Sequence, residues 1–472
     1  TIDQGTTNTK ALVMDQTGAI LARAGLPTAT HYPRPGWAEQ SAAEIWTATQ
    51  SVINTVATQV GANSIDAIAI SNQRETLVFW DARSGAPVAP AILWQCRRTA
   101  DDCARLIAEG QNDLVESLTG LGINPLFPAS KLAWMLRHDP QVADLRAAGH
   151  LRAGTVDSWL LWNLSGGDSF ATEHSNASRT QLFDTERLSW SDDLAKLFGT
   201  DTGCLPVAMP SDSRFGETAK GTTSLPAGIP VHAMMGDSHA ALYGHGIRSP
   251  GTVKATYGTG SSLMTLTPER TQSQHGLSAT IAWTDKHGPT YALEGNITVS
   301  AQAAAFMAQI LGLTDARALS DLAQSVDSSH GVAFVPALAG LGAPHWHDDA
   351  RGTLVGMTHG TTPAHIARAT FEAIACQIAD VFNAMQSDIG APLQTLRADG
   401  GASSNAFLMQ LQADLLARTV HVSDIEEVGA IGAAAMAFEA FDRPLQLVAG
   451  QRSYAASGRD MSSVHAVWRR AL

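Results

Sequence analysis

The sequence predicts an α/β fold built from two similar halves. Three observations point there. Strand-like and helix-like segments alternate along the chain. Two separate stretches, "IDQGTTNTKALVMD" near the start and "TVKATYGTGSSLMTL" past the middle, each read as strand, Gly/Thr turn, strand. At 472 residues the chain is longer than one hydrophobic core usually supports.

The elements follow in order. A hairpin runs from Lys10 to Met14 and from Ala19 to Leu26 about a turn at Asp15 to Gly18. A helix starts at Ser41, with Ser41 and Glu44 at capping-box spacing and Ile45, Trp46, Val52, Ile53 and Val56 on its inner side. "IDAIAISNQRETLVFWD" reads as two strands parted by a polar kink at Asn72 to Glu75. In the second half a helix runs from Thr362-Pro363 to Gly390, with Ile366, Ala369, Ala373, Ile374, Ile378, Val381 and Phe382 about 3.6 residues apart. The strand "TLRAD", a glycine-rich turn and a helix from Ala406 to Leu416 follow, with Ser403 or Ser404 expected as N-cap. The break at "RSPG" divides the chain into domains 1–248 and 249–472, with a cleft expected between them.

Composition excludes several classes. A net charge of -13 and no Lys/Arg run argue against nucleic-acid or anionic-membrane partners, which reward a basic face. No stretch has the roughly 18 apolar residues of a membrane span. Cys96, Cys103, Cys204 and Cys376 are too few and scattered for a disulfide framework, so reduced thiols and a cytoplasmic setting are expected. The sequence does not begin with Met, and a few preceding residues are expected.

The hairpin tips carry the first chemical signal. Gly5, Thr6, Thr7 and Thr9 form a turn whose amides and hydroxyls suit phosphate oxygens, and Asp3 before them suits Mg²⁺ or its water shell. For one such stretch alone an ordinary β-turn is the better explanation; the second tip, Gly258, Thr259 and Gly260 before Ser261 and Ser262, favours two grips on one polyphosphate. At "ADGGASSN", small residues with Gly401 and Asn405 suit a flat base lying against the backbone, or merely a capped loop. Asp237, after an apolar strand, suits either a general base or a helix cap. His239 and His245 lack a third partner at metal-ligand spacing. Arg74 and Glu75 form a donor-acceptor pair for vicinal hydroxyls or a solvated turn, and Trp94 is an apolar wall or a core residue.

The quoted runs, with "YPRPGWAEQSAAEIW", "SNQRET", "ILWQCRRTA", "SNASRTQLFDT", "GLGAPHWHDDARGTLVGMT" and "ADGGASSNAFLMQLQADLL", resemble the FGGY carbohydrate kinases along nearly the whole chain, most closely the glycerol kinase branch. The resemblance implies two actin-like, ribonuclease-H-like domains and phosphoryl transfer from ATP-Mg²⁺ to a small polyol or sugar. It further implies that Thr6, Thr7 and Thr259 contact phosphate, Gly401 and Asn405 contact adenosine, and Asp3 helps to hold Mg²⁺. Asp237 becomes the base, also near the metal, while Arg74, Glu75 and Trp94 line the acceptor site. Family members are often dimers or tetramers.

Departures from the branch concern the acceptor. Where glycerol kinases have Tyr in "DPYFSGTK", Gln after the catalytic Asp and Phe in "GTGCF", this chain has Leu126 in "NPLFPASK", Ser238 and Ser262. The joint loss of bulk predicts a wider pocket and a substrate of four or five carbons, with glycerol the alternative. Ala301 and Ala305 replace common Gly and Gln near the nucleotide, and "AKGTTSLPAGIP" shows no fructose 1,6-bisphosphate loop. A nucleotide-dependent switch of the actin or Hsp70 kind remains the alternative of another class, and needs no polyol site.

Overall fold

The computed structural model describes residues 1–445 and 450–472. The chain divides into two units. The first holds Thr1–Gly246, Ala279–Tyr291 and the segment beginning at Glu427; the second holds Ile247–Ser278, Ala292–Glu426 and the C-terminal segment. The break at Gly246 falls near the expected 248, but the two halves are not continuous.

Packing explains both insertions into the first unit. In Ala279–Tyr291, the Ala279 amide donates to the Gly120 carbonyl at 2.9 Å, and the Thr284 hydroxyl lies 3.1 Å from His174 Nδ1. The Val428–Ala440 helix, rich in alanine and glycine, lies against the Asp237–Gly244 helix. A Cβ on Gly432 would come within 1.7 Å of the Ala240 carbonyl oxygen, and one on Gly244 within 2.2 Å of that of Val428. The approach is backbone to backbone, so periodicity alone gave no hint of it.

The main sheet of the first unit has the order Gly216–Glu217, Pro230–Gly236, Ile68–Asn72, Ile2–Gln4, Asn8–Met14, Ile20–Pro27. Pro230–Gly236, Ile68–Asn72 and Ile2–Gln4 are parallel, with Gln4 and Gly236 both in register with Asn72. Their carboxyl ends therefore lie level, the place where open α/β sheets bind ligands. Ser41 caps the Ala42–Val60 helix by accepting from the Glu44 amide, and Ile45, Val52, Ile53 and Val56 are buried while Trp46 is half-buried. The two strands of "IDAIAISNQRETLVFWD" enter different sheets: Ile68–Asn72 joins the main one, and Leu77–Asp81 joins a four-stranded sheet with Glu39–Gln40, Ala91–Ile92 and Leu151–Thr155.

The second unit repeats the theme. Thr252–Tyr257 and Ser261–Leu266 form a hairpin, and Thr252–Tyr257, Thr395–Asp399 and Thr419–Ser423 are parallel neighbours. Pro363–Ile389 is a helix with Thr362 as N-cap and Gly390 as a left-handed C-cap at φ 67°. Among the described residues no helix is long and apolar enough to cross a membrane, and all four cysteines are free and buried.

Gly432→Ala should drive a methyl into the Ala240 carbonyl and destabilise the protein by about 3 kcal/mol or more, against little change for Gly401→Ala, which meets nothing within 4 Å. Urea midpoints of the two variants check this.

Candidate active site

The site of the first unit is organised by six consecutive polar residues, Ser71 to Thr76, all buried. They carry the chain from one sheet to the other, and each is paired. The Ser71 hydroxyl donates to Asp3 at 2.9 Å. Asn72 exchanges side-chain hydrogen bonds with Asn176, both at 3.0 Å. Gln73 donates to the Gln4 and Gln40 side chains and accepts from Thr76 and Thr6. Arg74 places Nε 3.3 Å from Asp237 Oδ1. Glu75 takes Arg179 Nε at 2.7 Å, with Arg179 itself fully buried.

Glycine makes the Arg74–Asp237 contact possible. A Cβ on Gly236 would sit 2.6 Å from both Arg74 Cγ and Cδ. Gly236 is the N-cap residue of the Asp237–Gly244 helix and Asp237 its first helical residue, so Asp237 does not cap; its carboxylate accepts from the Ser238 amide. The Asp237 side chain is 45% exposed, open to an approaching hydroxyl. His239 and His245 are buried, and His239 Nε2 meets Thr280 Oγ1 at 3.2 Å.

The first hairpin tip is partly committed. The Gly5 amide closes the turn on the Asn8 carbonyl. The Thr6 hydroxyl donates to Gln73 and accepts from Trp94 Nε1 at 2.9 Å, so Trp94, 38% exposed, is tied to the tip. Thr7 is exposed, whereas Thr9 is buried with its hydroxyl 3.2 Å from that of Thr28. Thr9 alternates inward along its strand, which removes it from the expected phosphate-facing set. Leu126 and Ser238 are half-buried.

In the second unit Thr259 stands exposed at its tip, with its carbonyl accepting from the Ser300 amide. Gly260 must be glycine, because a Cβ would lie 2.4 Å from the Ile297 carbonyl oxygen, and Gly258 closes the turn on Gly260. Ser262 donates to buried Glu294 at 3.0 Å. Gly400, at φ 86°, lies on the end of the Thr252–Tyr257 strand, where a Cβ would strike the Tyr257 carbonyl. A Cβ on neighbouring Gly401, which is exposed, meets open space. Asn405, rather than Ser403 or Ser404, caps the following helix by accepting from the Leu408 amide; the two serines hydrogen-bond to carbonyls inside a short 3₁₀ turn.

Asp3 and Asp237 are near enough for their charges to interact. The Asp3 carboxyl is pushed up to about 6, first by desolvation and then by Asp237 and Glu427, against the lowering effect of Ser71. Among the described residues no group of three or more His, Cys, Asp and Glu gathers to hold a metal. Two carboxylates close enough to interact nevertheless suit Mg²⁺, which takes one or two of them and completes its shell with water and phosphate. A cavity of about 580 Å³ near Thr1 is lined by none of these candidates.

Lys131, Arg179, Gln73 and Asn176 escaped the sequence reading. The detectable signal was polar residues where burial is expected: Lys131 sits in "ASKLAWML" on the inner side of a helix, and Arg179 within "SNASRT".

A raised carboxyl pKa means that folding is favoured by the bound proton and is weakened as pH climbs from about 4 through about 6. Asp3→Asn should therefore stabilise the protein at pH 7–8 by roughly 1–2 kcal/mol, discounted for the solvent-open part of Asp3, with the gain vanishing below about pH 4. Thermal midpoints of both proteins across that range check it.

Two family models match the chain: the N-terminal domain of the FGGY family of carbohydrate kinases over residues 1–244, and its C-terminal domain over residues 253–441. An apulose kinase of Pectobacterium atrosepticum is 48% identical over 92% of this chain and 87% of its own length. A glycerol kinase of Bordetella parapertussis is 44% identical over the same shares. The crystal structure of Plasmodium falciparum glycerol kinase with ADP superposes with a TM-score of 0.93 at 31% identity, covering 100% of this chain and 96% of that one. A Brucella ovis xylulose kinase, at 24% identity and a TM-score of 0.88 with 100% and 97% covered, shares the fold. The level strand ends, the paired hairpins and these matches together make this chain a member of the FGGY family of carbohydrate kinases, an ATP-dependent phosphotransferase that acts on an alcohol group.

Proposed function

We propose that the protein transfers the γ-phosphoryl group of ATP to a hydroxyl of a four- or five-carbon ketose or polyol. The observation that supports it best is the Arg74–Asp237 pair: a half-exposed carboxylate, oriented by a buried guanidinium, at the carboxyl end of the central strands. Arg74 and Glu75 would bind vicinal hydroxyls from the donor and acceptor sides, with Arg179 and the buried segment fixing their directions. Trp94 would cover the carbon face. Asp237 would take the proton of the attacking hydroxyl, and no covalent enzyme intermediate is needed.

Bound ATP-Mg²⁺ supplies the phosphoryl group and the positive charge that offsets its transfer. Asp3 and Asp237 would hold the cation, Thr6, Thr7 and Thr259 the phosphates, and Gly401 with Asn405 the adenosine. Asn405 commits its Oδ1 to the helix cap, which leaves its amide nitrogen for the base.

The substrate class rests on Leu126 and Ser238, half-buried and small where the glycerol kinase branch has Tyr and Gln, and on Ser262, whose hydroxyl turns to Glu294. The relative named as an apulose kinase, a ketose kinase by its name, agrees with this. Glycerol is the competing acceptor, since relatives named glycerol kinase share 43–44% identity. A pure nucleotide switch would leave Arg74, Glu75 and Asp237 without a task.

ADP release should be measured with ATP-Mg²⁺ and glycerol, erythritol, erythrulose, ribulose, xylulose, apulose, ribitol or gluconate. A four- or five-carbon compound should exceed glycerol in kcat/KM by about tenfold or more. Glycerol in first place refutes the wide-pocket reading, and no stimulation by any acceptor refutes transfer to a sugar. With the preferred acceptor, Asp237→Asn should lower kcat by about 10²- to 10⁴-fold while calorimetric ATP affinity stays near wild type; wild-type turnover would remove Asp237 as the base.

A further inference from the structure

Lys131 is fully buried in the Pro128–His138 helix. A lysine there is costly on two counts. Burial strips its ammonium of water, and its position in the first turns of a helix sets it against the positive end of the dipole. Such a residue needs a compensating role. Its Nζ donates to the main-chain carbonyl of Leu126 at 2.6 Å and to that of Glu75 at 3.1 Å. These carbonyls belong to two separate segments, Asn124–Pro128 and the buried polar crossing. Glu75 is also strained: its φ of 58° lies in the left-handed region, which a residue with a Cβ seldom adopts. The backbone there is held from two sides, by Lys131 at the carbonyl and by Arg179 at the carboxylate.

We propose that Lys131 is a positioning residue: its ammonium clamps the Glu75 and Leu126 segments together and thereby sets acceptor affinity without touching the acceptor. The clamp rests on the reading of Glu75 and Leu126 as acceptor walls given under Proposed function. It also explains how a residue as small as Leu126 can form a defined wall: its backbone is fixed even though its side chain reaches less far.

The charge on the clamp is sensitive to pH. Desolvation lowers the Lys131 ammonium to about 7, opposed chiefly by Glu75. The other groups facing it are Cys96, Arg98 and Cys103. Arg98 is paired with Glu39 and stacked on Trp37, and the Cys103 thiol is pushed up by burial. Acceptor binding should thus weaken as pH rises through about 7, where the ammonium loses its charge and part of its donor strength.

The test compares the full chain with Lys131→Met in two readouts. Amide hydrogen exchange, which needs no acceptor, should accelerate in Lys131→Met at residues 72–76 and 124–128 together, with the remainder protected as in wild type. In turnover with the best acceptor, Lys131→Met should raise acceptor KM about tenfold and leave ATP KM within about twofold. Wild-type acceptor KM should rise between about pH 6 and 8.5, and that of Lys131→Met should stay flat.

Unchanged exchange in the two segments overturns the clamp, as does an unchanged acceptor KM in a folded Lys131→Met. If Lys131→Met does not fold, a pH-independent wild-type acceptor KM overturns it. If no acceptor is found, the functional reading fails while the exchange result still decides the clamp.

Discussion

The first unit depends on keeping six polar side chains, Ser71 to Thr76, in hydrogen-bonded register inside the protein. Unpaired, each would cost about 1–3 kcal/mol, more for the charged pair. Paired, they do what an apolar crossing cannot. The partners are spread over several elements: Asp3 on the first strand, Asn176 and Arg179 at the "SNASRT" helix and turn, Gln40 before the first long helix, Asp237 at the end of a parallel strand. One crossing thus orients most of the polar groups at the strand ends. Orientation at such a point requires that no partner drift, and a buried network of paired side chains is rigid for that reason.

The two hairpins share a pattern but differ in how freely their hydroxyls are disposed. Thr6 is committed on both sides, to Gln73 and to Trp94, and its place is dictated by the buried network. Thr259 is exposed, and its tip is shaped instead by glycines pressed against backbone. The first tip therefore responds to changes in the Gln4–Gln40–Gln73 cluster, the second to changes in volume at Gly258 and Gly260. Similar sequence at the two turns conceals two different means of fixing them.

Much of this was legible in the sequence. Period-2 and period-3.6 patterns located both hairpins, the Ala42–Val60 helix and the Pro363–Ile389 helix, because burial of one face leaves a mark on every second or every third to fourth residue. Motif resemblance singled out Arg74, Glu75, Trp94 and Asp237 as candidates. Long-range packing was not legible: the contact of Gly432 with Ala240 and the docking of Ala279–Tyr291 leave no periodic trace, so two continuous domains were expected where the chain returns to the first unit twice. Asn405 displaced the serines as helix cap for a local reason. Ser403 and Ser404 satisfy carbonyls behind them, leaving the next polar residue to accept the helix amide.

Three costly groups of the first unit lie on or beside the same crossing. Asp3 is a carboxylate with its pKa driven up, Lys131 an ammonium with its pKa driven down, and Glu75 a strained residue beside a fully buried arginine. Selection for stability alone would remove such liabilities. Charges held away from water in fixed directions interact more strongly with an opposite charge or a dipole than the same charges would at a surface. Stability is given up where orientation is required, and the apolar cores on either side of the crossing make up the difference.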